Sequence, residues 1–290
     1  MVMSMAEKEE TEKVTEKEAP QAEKKEAAVE NKEKPKETRP RRGGQQKVFD
    51  VEAWKPKTSI GKKVKAKEIT DLDVILDSGQ NLLEAEIVDV LIPDIKSELL
   101  LIGQSKGKFG GGQRRVFKQT QKKTREGNKP KFATFAVVGN ENGYVGVGYG
   151  KSKETVPARE KAFRNAKLNM VKIRRGCGSW QCGCGNPHTI PFVVEGKCSS
   201  VRLVLRPAPK GTGLCVEREC AKILKLAGFR DIWSKSFGQT GSKLNLIIAL
   251  MKALAKLTTT KVHPSNFEPL GMVEGSIVNT MDEPVVESEE

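Results

Sequence analysis

Residues 132–149 read FATFAVVGNENGYVGVGY, and this stretch decides how the middle of the chain folds. Phe132 to Val138 and Tyr144 to Tyr149 are rich in the β-branched and aromatic residues that suit a pleated, half-buried surface. Gly139-Asn140-Glu141-Asn142-Gly143 between them is a turn signal, so the two runs predict a hairpin. Arg115 to Gln119 predicts a strand ahead of it. After Lys151-Ser152-Lys153 a helix is expected to about Val171, with Phe163, Ala166 and Met170 facing inward and Lys161, Arg164 and Lys167 outward. The order is strand, strand, strand, helix.

The second strand ends in a tempting motif, GYVGVGYGKS over 143–152. A phosphate-cradling P-loop needs glycine five positions before the Gly of its Gly-Lys-Ser tail. Val145 stands there, with Gly146 one residue out of register. Gly146, Gly148 and Gly150 are spaced by two throughout, which also breaks the dinucleotide-binding pattern. Alternating glycines in a strand are instead expected to let another backbone, protein or RNA, approach one face.

On either side of this block the chain changes character. Residues 1–46 are Glu, Lys, Ala, Pro and Gln with few large apolar groups, too few to offset their ordering entropy, and are expected to be a disordered charged tail. Residues 47–112 form an N-terminal extension with short helices, among them Ile87 to Ile92, which Pro93 interrupts. Gln104 to Gly112 is a glycine-rich loop. Residues 113–176 hold the hairpin and its helix, and 177–187 are a Cys/Gly-rich connector. Residues 188–258 carry a second α+β unit: strand-like Thr189 to Glu195 and Ser200 to Arg206, a helix from Val216 to Ala227, and a short strand from Arg230 to Ser234. A last helix, Ser242 to Leu257, carries Leu244, Ile247, Ile248, Met251 and Leu254 on one stripe. Residues 259–290 turn acidic and are expected to be a mobile tail. The fold class is α+β, two sheet-and-helix units between charged tails.

Charge bounds the partners. The chain has 51 Lys and Arg against 37 Asp and Glu, net +14. Residues 104–176 hold 19 basic and 4 acidic side chains, and residues 177–258 hold 12 and 4. The rest of the chain is neutral or acidic, so the excess is concentrated in the two folded units. Lys118, Lys122, Lys123, Arg125, Lys129 and Lys131 crowd one connection, Lys151 and Lys153 sit at the following helix start, and Arg174 and Arg175 follow its end. Such density costs self-repulsion that phosphates relieve, and Lys and Arg contacts to phosphate supply most nucleic-acid affinity. RNA is favoured over DNA. A small sheet backed by a helix with basic edges suits double-stranded RNA, no helix-turn-helix or finger spacing occurs, and 5% aromatic content leaves little for base stacking. No apolar run long enough for a membrane span is present. Six cysteines in a basic chain without a signal segment point to reduced thiols or metal ligands, hence a cytosolic or equally reducing compartment.

Cys177, Cys182, Cys184 and His188 are candidate metal ligands, with Cys198 further on. Structural zinc takes four such groups in a tetrahedron. The spacing lacks paired two-residue knuckles, so thiols packed as small apolar groups in a glycine-rich connector are the alternative. Cys215 and Cys220 are expected in helix or core. With two histidines and no oxyanion-hole motif, no enzyme is expected, no cofactor beyond that possible zinc is required, and no small-molecule substrate is implied.

Lys122 to Gly176 (KKTREGNKPKFATFAVVGNENGYVGVGYGKSKETVPAREKAFRNAKLNMVKIRRG) closely resembles the fifth universal small-subunit ribosomal protein family, whose eukaryotic member is called small-subunit protein two. Further matches are WKPKTSIG at 54–61, GCGSWQCGCGNPHTIPF at 176–192, RPAPKGTG at 206–213 and LAG at 226–228. The cysteine connector looks like the archaeal branch. The resemblance implies a double-stranded-RNA-binding-like domain followed by a C-terminal α+β ribosomal domain. It implies small-subunit rRNA as partner at the body–head junction, small-subunit proteins four and eight as neighbours, and mRNA at the entrance, with a role in translational accuracy. Carried across, the RNA-contacting loop corresponds to Lys122, Lys123, Arg125, Asn128, Lys131 and Phe132, and the helix start to Lys151, Ser152 and Lys153. Residues 104–115 and 214–220 depart from the family pattern, so contacts there do not transfer. The alternative to a ribosomal constituent is a free-standing double-stranded-RNA-binding module or RNA chaperone.

Overall fold

The computed structural model describes residues 54–105 and 112–276. The expectations for the 1–46 tail, most of the 104–112 loop and the end of the acidic tail lie outside them. Three short helices open the described chain: α1 (Ser59–Lys65), α2 (Leu72–Asp77) and α3 (Glu86–Leu91). They are followed by strands β1 (Lys96–Leu100), β2 (Lys118–Thr124), β3 (Gly127–Gly139) and β4 (Tyr144–Ser152), then helix α4 (Thr155–Leu168) and strand β5 (Met170–Lys172). The first sheet has five strands, with β3 central, β4 and β5 on one side, and β1 and β2 sharing its other edge end to end.

The three-strands-then-helix order holds, with corrections at the boundaries. The strand expected at Arg115 to Gln119 lies at Lys118–Thr124. The helix starts where expected, with Lys151 and Ser152 paired in β4 opposite Ala133 and Phe132, but it ends early at Leu168, because Met170 pairs with Gly146 as part of β5. Extra pairing on the sheet outcompetes further helical turns. The 47–112 extension does carry short helices, but its β1 is an edge strand of the sheet, antiparallel to β3 from Lys96↔Gly139 to Leu100↔Phe135.

Glycines in β4 and alanines in α4 form one device. A Cβ on Gly146, Gly148 or Gly150 would lie 2.2, 2.2 or 2.1 Å from the carbonyl oxygens of Ala166, Ala162 and Ala158. The helix backbone rests directly on the strand, and Ala158, Ala162 and Ala166 are fully buried. The close approach read from the alternating glycines is made by this protein helix. Phe163, expected inside, is only partly buried, since the alanine face is the one that fits.

The second sheet orders β7 (Val194–Cys198), β8 (Val201–Pro207), β10 (Ile232–Phe237) and β9 (Leu214–Cys215) as β7-β8-β10-β9. It is covered by α5 (Arg218–Leu226) and α6 (Lys243–Thr259). Pro191 offers no N–H, and regular pairing begins only at Val194 rather than Thr189. In α6 the inward stripe is Leu246, Ile247, Leu250, Ala253, Leu254 and Leu257, while Ile248 is 37% exposed, which corrects the expected face. The cause is again a glycine: a Cβ on Gly196 of β7 would lie 1.9 Å from the Ala249 carbonyl oxygen, so α6 turns its small side chains to the strand.

The two units share one core. Leu100, Phe135, Val137 and Val145 from the first sheet pack with Leu203, Leu205, Ile223, Leu224 and Leu250 from the second. The other face of β3 meets α4 and the N-terminal extension, where Trp54, Leu72, Ile75, Ile87 and Val88 join Ala136, Val138 and Ala162. The β3–β4 turn is pinned to the end of α5, with Glu141 N–H donating to the Leu226 carbonyl at 2.8 Å.

The expected mobile tail is corrected as far as residue 276. A 3-10 turn (Pro264–Asn266) leads to strand β11 (Val273–Glu274), which pairs antiparallel with β6 (Arg174–Arg175). Beside this return, Tyr144 OH donates to Asp73 Oδ1 at 2.6 Å, and burial, then the Asp73 carboxylate, push the phenol well above its ordinary value of 10.0. A pKa raised by folding contributes stability that is complete below the unfolded value and is lost as pH rises through the folded one. Tyr144→Phe is expected to cost about 1–2 kcal/mol at neutral pH and to flatten the decline in urea midpoint above roughly pH 10.

Candidate nucleic-acid interface and cysteine cluster

The expected basic loop is a β-hairpin, which corrects its structure while keeping its charge. Strand β2 pairs with the first half of β3 from Lys118↔Ala133 to Thr124↔Gly127, leaving Arg125 and Glu126 as the turn. No side chain from Lys118 to Phe132 is buried, whereas every residue from Ala133 to Gly139 is. The hairpin thus projects beyond the packed part of the sheet. A run of alternating Lys, Gln and Thr carries no apolar period, so it reads as a loop until its partner strand is known.

Register sorts this charge into two faces. Partners across an antiparallel ladder share a face, and successive residues alternate. Lys122 lies opposite Lys129 and Thr120 opposite Lys131, so Lys118, Lys122, Lys129 and Lys131 project together. The opposite face carries Gln119, Gln121, Lys123, Asn128, Pro130 and Phe132. Lys151 of β4 pairs with Ala133, which pairs with Lys118, so Lys151 belongs to the lysine face. Two strand spacings, about 10 Å, separate those two lysines. Ser152 stands opposite Phe132 on the other face, and Lys153 is exposed just before α4. Lys129 pairs with Glu126 within the turn region. Like charges placed directly opposite, as Lys122 and Lys129 are, destabilise an isolated ladder and favour a polyanionic partner.

Arg174 and Arg175 do not join this surface. They are 6% and 3% exposed. Arg174 Nε donates to Glu274 Oε1 at 2.6 Å and its Nη1 to the Thr260 carbonyl at 2.8 Å. Arg175 Nη2 donates to Asn142 Oδ1 at 2.8 Å and to the Gly275 carbonyl at 3.1 Å. These guanidiniums satisfy the C-terminal return, and burial lowers the Arg175 pKa. Sequence alone gave no sign of this, because Thr260, Glu274 and Gly275, which supply most of the acceptors, lie 86 to 100 residues downstream.

The connector brings its expected ligands together. One side-chain atom each from Cys177, Cys182, Cys184 and His188 lies within 4.8 Å of all the others. Cys184 Sγ is 3.6 Å from Cys177 Sγ, and Cys182 Sγ is 3.8 Å from His188 Nε2. Cys198 lies outside this group. Cys220 is buried in α5 as expected, whereas Cys215 is exposed in β9, because that short strand keeps it off the core. Burial, then the neighbouring thiols, push the Cys177 pKa up. Backbone N–H groups of Lys210 and Cys184 hold Cys182 down to about 6. Sequence reading missed Asp231, whose Oδ2 lies 2.8 Å from His188 Nδ1 and whose Oδ1 accepts from the Gly211 and Gly213 N–H groups. A lone Asp ahead of a strand carries no spacing signal.

Two sheet-and-helix units sharing one core, with a lysine-faced hairpin projecting from the first, define a basic α+β protein that presents an exposed cationic strand pair. Residues 113–174 match the family model for the N-terminal domain of ribosomal protein S5, and residues 196–263 match that for its C-terminal domain. Small ribosomal subunit protein uS5 of Nanoarchaeum equitans is 46% identical over 232 residues, covering 80% of this chain and 100% of the relative. Its counterpart in Methanocaldococcus jannaschii is 43% identical over 230 residues, covering 79% and 99%. That of Methanosphaera stadtmanae is 44% identical over 226 residues, covering 78% and 93%. This chain belongs to the ribosomal protein S5 family, in its archaeal type. Among the described residues, no helix is long and apolar enough to cross a membrane.

Proposed function

We propose that this chain is a structural constituent of the small ribosomal subunit that grips small-subunit rRNA with the lysine face of the β2–β3 hairpin. The observation that carries the reading is the hairpin itself: a strand pair with no buried side chain of its own, carrying four lysines on one face. Two strands without a packed face are marginal in water, so an RNA backbone supplies both countercharge and a surface to lie on. Lys151 extends that face across the sheet, and Lys123, Arg125, Asn128 and Phe132 give the tip and second face donors and an apolar edge. Ser152 and Lys153 lie beside them at the strand end.

The finer assignments rest on family membership. They are a seat at the body–head junction near the mRNA entrance, contact with small-subunit proteins four and eight and with mRNA, support of translational accuracy, and residence in the cytoplasm. The role is architectural rather than catalytic. Co-sedimentation tests the reading: the protein is expected to stay with small subunits through washes in moderately high salt. A pool found wholly free of subunits would instead favour a free-standing double-stranded-RNA-binding module.

A further inference from the structure

The connector from 177 to 188 has no regular secondary structure, yet its ends are fixed. Gly176 bridges Thr189, Cys177 N–H donates to the Leu270 carbonyl at 2.7 Å, and the His188 carbonyl accepts from Arg230 and Asp231. Within it Trp180, Gln181, Gly183, Gly185 and Asn186 are exposed, so apolar burial does little to hold the loop in one shape. Its three thiols all turn inward on one imidazole.

We propose that Cys177, Cys182, Cys184 and His188 form a structural zinc site that locks this connector against the second sheet. A tetrahedral centre with Zn–S bonds of about 2.3 Å spaces its sulfurs roughly 3.8 Å apart. The Cys177 and Cys184 sulfurs, 3.6 Å apart, are close to that spacing, and Cys182 Sγ stands 3.8 Å from His188 Nε2, the remaining ligand atom. Packing as small apolar groups fits Cys177, which is buried, but not Cys182 and Cys184, which are half-exposed and still converge on it. The imidazole is prepared as a metal-bound histidine is: Nδ1 donates to the buried Asp231 carboxylate, which fixes the tautomer and leaves Nε2 as the free lone pair facing Cys182. Asp231 in turn holds the Gly211 and Gly213 N–H groups, so the metal, through His188 and Asp231, also fixes the 210–213 loop. Binding displaces the thiol protons to solvent and changes no oxidation state.

The probe is Co²⁺ titrated into the full-length protein under reducing conditions, followed by Zn²⁺. One equivalent is expected to give the visible bands of a tetrahedral, thiolate-bound cobalt centre, with one equivalent of Zn²⁺ erasing them. Cys182→Ser and Cys184→Ser are each expected to change the spectrum and weaken binding at least about tenfold. Asp231→Asn should keep the spectrum and weaken Zn²⁺ binding about 10- to 100-fold, because it removes only the group that orients His188. Cys198→Ser and Cys215→Ser should alter neither, and circular dichroism checks that each variant is folded. The proposal is overturned if the folded, reduced protein gives no tetrahedral spectrum, or if Cys198→Ser or Cys215→Ser abolishes it. Both readouts are independent of ribosome binding, so failure here leaves the ribosomal reading intact.

Discussion

Replacing Lys118, Lys122, Lys129 and Lys131 with Gln is expected to weaken binding to small-subunit rRNA by roughly a hundred- to a thousand-fold near 0.1 M salt. Counterion release sets this magnitude. Each lysine that neutralises a phosphate adds somewhat under one unit to the slope of log K against log salt, so four lost contacts reduce the slope by about three. The loss should be similar for different RNA sequences, since phosphate contacts carry no base identity. Gln119→Ala with Gln121→Ala, on the opposite face, should leave the slope unchanged. Filter binding from low to high salt reads both numbers. A slope that the four-lysine variant does not move would mean that this face does not meet phosphate, and the proposed mode of rRNA contact would fail.

Stability should respond most to the glycine face of β4. Gly148→Val places its Cβ where the Ala162 carbonyl oxygen would be 2.2 Å away and the Ala166 nitrogen equally close. Both are backbone atoms of a helix held along its length, so they cannot turn aside as a flexible side chain would. Overpacking in a yielding core costs about 1–3 kcal/mol, and an unyielding contact exceeds that. We therefore expect a loss of about 3 kcal/mol or more in urea unfolding, or no soluble folded protein at all. Gly183→Ala is the matched control: nothing lies within 4 Å of its Cβ, and a change below about 0.5 kcal/mol is expected. Equal effects from the two substitutions would remove the close helix–strand contact from the account of this fold.

The strands at Phe132 to Val138 and Tyr144 to Tyr149 and the helix after them are legible because each signal is local. Side chains alternate every two residues in a strand and recur every 3.6 in a helix, so a short window of sequence reports them. The glycine alternation even foretold a close backbone approach, though not that an alanine-faced helix of the same unit would make it.

What lay beyond reading was whatever depends on register or on distant partners. The lysines of the hairpin are a mere run until Lys122 is set opposite Lys129, and that pairing alone separates a charged face from an amide one. Arg174 and Arg175 read as surface cations in the sequence because the strand and carbonyls that bury them arrive from residues 258–275. The inward face of α6 escapes a reading of its own sequence because Gly196, on another element, sets its rotation.

Periodicity and charge along the chain thus specify an α+β protein of two units with its positive charge in the middle, and the motifs point to the ribosomal family. Packing in three dimensions settles which cations face outward and which are consumed inside, and it sets Asp231 behind His188. The physical reason is the same in each case. Periodicity and composition are carried by neighbours along the chain, whereas burial and ion pairing are fixed by neighbours in space, and a single sequence does not state which residues those are.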